Sequence, residues 1–106
     1  MTISPAKIAI TMSTIDEAPI IARMLVENRL AACVNILPGV QSIFRWQEKI
    51  ETANEAMLVI KTTEDRVSLV EQALQSLHGY ELPEFVVLNV EGVSDAYLRW
   101  IQANVK

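Results

Sequence analysis

The hydrophobic period of this chain changes in a fixed order, and that order leaves few folds open. From Lys7 to Ser13 the residues alternate, with Ile8, Ile10 and Met12 set against Ala9 and Thr11, the two-residue period of a β-strand. Thr14 and Glu17 then make a capping box, in which the hydroxyl accepts from the third helical amide and the carboxylate reaches back. The helix that follows carries Ala18, Ile21, Ala22, Leu25 and Val26 on its inner face, and Pro19 is tolerable because it falls in the first two turns. Ala31 to Leu37 reads as a second strand stopped by Pro38-Gly39, and Gln41 to Gln47 as a third. Glu48-Lys49 sits at the next tip. Those residues are poor chemistry for a tight primed turn, so a looser connection is expected before Ile50 to Glu55 and the apolar run Ala56 to Lys61. Thr62 or Thr63 caps a second long helix through Leu77, with Val67, Val70, Ala73, Leu74 and Leu77 inward. Glu84 to Val90 is a last core strand, and Ser94 caps a short helix bearing Tyr97, Leu98, Trp100 and Ile101.

The order β-α-β-β-α-β plus a terminal helix is the split βαβ arrangement of ferredoxin-like α+β domains. Right-handed crossovers place both long helices on one face of the sheet and leave the other face open. Only the short terminal helix remains to cover it. At 106 residues the chain is long enough for one domain, 1–106, with a single core. Its hydrophobic content of 51% and mean hydropathy of +0.25 exceed what so small a surface hides by itself, so a subunit interface is expected.

A net charge of −4 is the wrong sign for affinity built on phosphate contacts, so no nucleic-acid partner is expected. No apolar run approaches a membrane span. A single cysteine excludes an internal disulfide, and the start of the chain lacks the charged and apolar regions of a signal peptide, which together suggest the cytoplasm. The three glycines, Gly39, Gly79 and Gly92, are too scattered for a phosphate loop. The strands that would carry stacking aromatics in an RNA-recognition module have none. No residue near the sole histidine nominates a nucleophile, and the chain is not expected to be an enzyme.

Chemistry concentrates in His78-Gly79-Tyr80-Glu81-Leu82-Pro83-Glu84, where an imidazole, a phenol and carboxylates can ligate metal or move protons. The same residues can simply end a helix, with His78 favouring the carbonyl end and Gly79 in a left-handed cap. One cysteine and one histidine cannot build a closed zinc site within one chain. A free cysteine in an apolar strand most often packs as a small hydrophobe, and Cys33 is expected to do so. Lys61, ending an apolar strand, is an odd place for an ammonium unless an anion meets it. Trp46 lies too near a hairpin tip to reach its own core easily, and an intersubunit position is expected.

Several stretches resemble the CutA divalent-cation tolerance family. They are Ala31-Ala32-Cys33-Val34-Asn35-Ile36, Ser42 through Glu51, Leu58-Val59-Ile60-Lys61-Thr62, His78 through Glu84, and Tyr97-Leu98-Arg99-Trp100-Ile101. The resemblance runs from Met12 to Ile101 and implies a ferredoxin-like subunit of a compact homotrimer, similar in architecture to the PII signalling proteins. Its long hairpin, Gln41 to Lys61, would add strands to neighbouring sheets. It also implies association with divalent metal, copper above all. Copper ligands proposed in some members map onto Met12, Leu77 and His78, where those members carry cysteine, histidine and histidine. Here only His78 keeps that chemistry, while Met12 offers a thioether suited to Cu(I). The resemblance further gathers Cys33, Trp46, Lys49, Lys61, His78, Tyr80 and Glu84 at a subunit boundary, where a cleft could take a metal ion or a small anion.

Overall fold

Alternation in the first strand separates small residues from large ones, and the helices pack on the small side. The computed structural model describes residues 5–77 and 79–106. Its elements are β1 (Ala6–Ser13), α1 (Ala18–Glu27), β2 (Cys33–Trp46), β3 (Lys49–Thr63), a 3-10 turn (Glu64–Arg66), α2 (Val67–Leu77), β4 (Val86–Asn89) and α3 (Asp95–Asn104). One antiparallel sheet is ordered β2-β3-β1-β4, as the ferredoxin-like order requires. Ala9, Leu58 and Ile60 lie on the helix side, fully buried against Ala18, Ile21 and Leu25 of α1 and Val70 and Leu74 of α2. Each of the larger side chains contributes about 1.5–3 kcal/mol by leaving water.

The opposite face holds the larger members of β1. Ile8, Ile10 and Met12 share it with Lys61, Val59 and Met57 of β3, their cross-strand partners. The terminal helix covers only one end of this face. There Ile101 and Val105 pack on Ala6 and Ala32, and Ser94 caps α3 by accepting from the amide of Tyr97 at 3.2 Å, as expected. Beyond that end Ile8, Ile10, Val59 and Met57 are only half-buried, and Leu37, Val86 and Leu88 are exposed.

Where the structure departs from the sequence pattern, local geometry explains it. Pro38-Gly39 does not stop a strand. It forms a bulge inside a continuous β2: the register steps from Leu37↔Met57 to Val40↔Glu55, one residue more on β2 than on β3, with Gly39 at φ 73°. The hairpin tip is tight rather than loose. Trp46 pairs with Lys49, and the two linking residues, Gln47 and Glu48, both take positive φ, the pattern of a primed two-residue turn reached without glycine or asparagine.

Because β1 ends against Ala56, the part of the hairpin beyond that point is a two-stranded ribbon paired only with itself. This overhang accounts for the 50 Å long axis of a molecule only 26 × 22 Å across.

The remaining differences are smaller. Glu17 accepts from the Thr14 hydroxyl, 2.9 Å, while its amide donates back to that oxygen, and the regular helix begins only at Ala18, with Pro19 where a missing amide costs nothing. Val26 is exposed. Neither threonine caps α2, because Thr62 donates to the Leu30 carbonyl and Thr63 to the Asp65 carboxylate before the 3-10 turn. β4 spans four residues, since the Glu84 carbonyl is taken by the Thr11 hydroxyl at 2.6 Å instead of by a strand partner. Gly79 is not left-handed. The expectation that His78 ends the helix lies outside the described residues.

Candidate functional site

The candidate residues fall into three groups spaced along the hairpin. At its base Cys33 and Lys61 are direct cross-strand partners on the open face. Both are half-buried, and the Lys61 ammonium lies 5.6 Å from the centre of the Tyr97 ring on α3. Tyr97 in turn stacks on Trp100, with ring centres 5.4 Å apart and planes 26° from parallel. The anion expected beside Lys61 is not a carboxylate of this chain, for no salt bridge joins it among the described residues. The Cys33 thiol points to the Asn35 side-chain oxygen at 3.8 Å.

The middle group surrounds the turn after α2. The Tyr80 hydroxyl reaches Glu55 Oε2 at 3.5 Å, and Glu55 is only 7% exposed at the first rung beyond the bulge. The Glu17 carboxylate lies against Gly79, 3.3 Å from where a methyl group would stand. Burial pushes the Tyr80 phenol above its ordinary 10.0, and the nearby Glu55 and Glu17 charges push it the same way. Glu84 itself is exposed. Met12, 5% exposed, is the cross-strand partner of Met57, so two thioethers occupy adjacent places on one face.

The third group is the tip, where Trp46 and Lys49 face each other across the last rung. Lys49 and Lys61 lie twelve positions apart along β3, about 40 Å at strand rise. One chain therefore does not bring tip and base together. Met12 and Cys33 stand apart on the sheet, since their partners Met57 and Lys61 are four residues apart, about 13 Å. Among the described residues no group of three or more His, Cys, Asp or Glu could hold a metal ion. His78, the remaining proposed ligand, lies outside the described residues.

Sequence reasoning missed Glu55, Met57 and Tyr97 as members of these groups. A carboxylate and a thioether inside an otherwise apolar strand were the available signals for the first two. The contact between Lys61 and Tyr97 depends on tertiary placement of α3 and left no local trace.

One sheet with both long helices on a single face, a mostly bare second face and an overhanging hairpin define a ferredoxin-like α+β protein. Comparison with known proteins makes this specific. Residues 6–104 match the CutA1 divalent ion tolerance protein family, to which the chain belongs. It is 40% identical over 97 residues to the divalent-cation tolerance protein CutA of Thermus thermophilus, spanning 92% of this chain and 94% of that one. It is 30% identical over 105 residues to the chloroplastic CutA protein of Arabidopsis thaliana, covering 99% of this chain but only 58% of the longer plant protein. The structure of the PII-like protein CutA from Nostoc sp. PCC 7120 superposes with a TM-score of 0.89 at 34% identity, covering 94% of this chain and 97% of that one. None of these proteins is named for a reaction. Among the described residues no helix is long and apolar enough to cross a membrane.

Proposed function

We propose that the chain acts in divalent-cation tolerance as a homotrimer of the cytoplasm that binds copper or a similar ion weakly and catalyses no reaction. The observation that carries this reading is the uncovered apolar face of the sheet, continuous with a ribbon that has no pairing partner on either edge among the described residues. A ribbon of this kind is stabilised when its edges pair with other chains, and a closed three-fold assembly leaves no edge free. Light scattering and native mass spectrometry at submicromolar concentration should give three copies, and a monomer would overturn the architecture.

Metal is the weaker part of the arrangement. The described donors do not form a cage, so a bound ion would rest on His78 with the soft pair Met12 and Met57, water, or a second copy. Titration of Cu(I) and Cu(II) should show weak binding that falls in His78→Ala. Binding unchanged by that substitution removes His78 from the site.

Lys61 favours a second reading, in which a small anion occupies a cleft between subunits, with Cys33, Lys61, Tyr80 and Glu84 from one copy and Trp46 and Lys49 from the ribbon of another. Supporting it are the absence of an ion-pair partner for this half-buried ammonium among the described residues and the length of the ribbon, which carries its own tip away from its own base.

A further inference from the structure

We infer that Lys61, Tyr97 and Trp100 form a binding platform for a planar aromatic ring that bears a carboxylate or phosphate. The inference rests on the anion reading above and adds the chemistry of the rest of the ligand. The other lysine on the core strands shows what is unusual here. Lys7 donates to the Asn89 side chain at 2.6 Å and stands 3.4 Å from the Glu64 carboxylate, so its charge is met within the chain. Lys61 is held over the Tyr97 ring, and no carboxylate meets it among the described residues. A cation over an aromatic face is attracted to the ring and keeps its capacity to donate to an anion arriving from outside.

The aromatic pair supplies the second half. Tyr97 is 36% exposed and Trp100 44% exposed, although the helix that carries them is pinned by buried Ile101 and by the Ser94 cap. Because the two rings stack on each other, the surface they leave for a ligand is the outer side of the pair, near the ammonium that Tyr97 holds. An aromatic ring of a ligand can stack on such a surface. Cys33 and Ile8, the cross-strand neighbours of Lys61, add no competing charge. The net charge of −4 gives no long-range attraction, and affinity must come from these local contacts.

The test follows the tryptophan fluorescence of the parent protein, with the number of copies measured in the same samples. Four probes separate the parts: adenosine monophosphate and 2-naphthoate (ring plus anion), adenosine (ring alone) and inorganic phosphate (anion alone). At least one of the first two should quench saturably, while adenosine and phosphate bind at least tenfold more weakly. Preference between the two ring-bearing anions identifies phosphate or carboxylate as the favoured group. Lys61→Gln should weaken binding roughly tenfold or more, the effect of losing a charge-assisted hydrogen bond, and Lys61→Arg should retain it. Circular dichroism of each variant establishes that it is folded. If phosphate alone matches the ring-bearing probes in a Lys61-dependent way, the anion reading stands and the aromatic platform is wrong. If no probe binds, or binding is indifferent to Lys61→Gln, both are wrong at this position.

Discussion

Two glycine-to-alanine substitutions, chemically identical, should move stability in opposite directions. An added Cβ meets nothing within 4 Å at either Gly39 or Gly92, so packing drops out of the comparison. What differs is the backbone. Gly39 sits at φ 73° in the bulge, where an L side chain costs about 1–2 kcal/mol, partly offset by reduced freedom of the unfolded chain. Gly92 lies outside that region, and Gly92→Ala should stabilise by about 0.4–1 kcal/mol through the unfolded chain alone. The unfolded-chain effect is common to both variants, so the gap between them is the left-handed cost itself, about 1–2 kcal/mol, or roughly five- to thirtyfold in the folding equilibrium. Urea unfolding followed by circular dichroism reads it directly, with the chain concentration held constant because assembly makes stability concentration-dependent. Gly39→Asn, which accepts the left-handed region more readily, should fall between Gly39→Ala and the parent. Equal midpoints for Gly39→Ala and Gly92→Ala would refute the assignment of strain to the bulge.

Three further outcomes are expected. Leu58→Ala, at a fully buried position between sheet and helices, should cost about 2–5 kcal/mol by urea unfolding. Tyr80→Phe should flatten the alkaline limb of stability: because the folded phenol titrates above 10.0, the parent holds this contribution below that pH and loses it as pH rises through the folded value, so the difference between parent and variant unfolding midpoints should change from pH 8 upward, and a constant offset would refute the assignment. Val59→Asp places a charge at the centre of the half-buried open face and should yield a folded monomer by light scattering, whereas an intact oligomer would locate the interface elsewhere.

Element order was legible because periodicity and capping chemistry agree over most of the chain: β1 and the Ser94 cap stand where the pattern places them. The hairpin was harder to read for a physical reason. Before the bulge Cys33, Asn35 and Leu37 share a face with Lys61, Val59 and Met57, and after it Val40, Ser42, Phe44 and Trp46 take over that face. A single strand that changes which residues face which side looks like two strands with a break, and Pro38-Gly39 supplied a plausible break. The tip escaped because Gln47 and Glu48 adopt positive φ against their own preference, held by the long ladder behind them. Of the site, residue types were visible and distances were not. Lys61 was singled out for its unmatched charge, yet its aromatic neighbour comes from α3, 36 positions later, through contacts no local pattern encodes.

The length of the ribbon bears on how variants of this protein would behave together. In the proposed trimer a site that uses both Trp46 and Lys61 would be divisible between gene copies, because each chain would contribute its tip to one place and its base to another about 40 Å away. A chain damaged only at the tip and a chain damaged only at the base, expressed in the same cell, would form mixed assemblies in which some clefts receive two intact halves. Each variant would be defective by itself and partly restored by the other, and the recovery would depend on their relative expression.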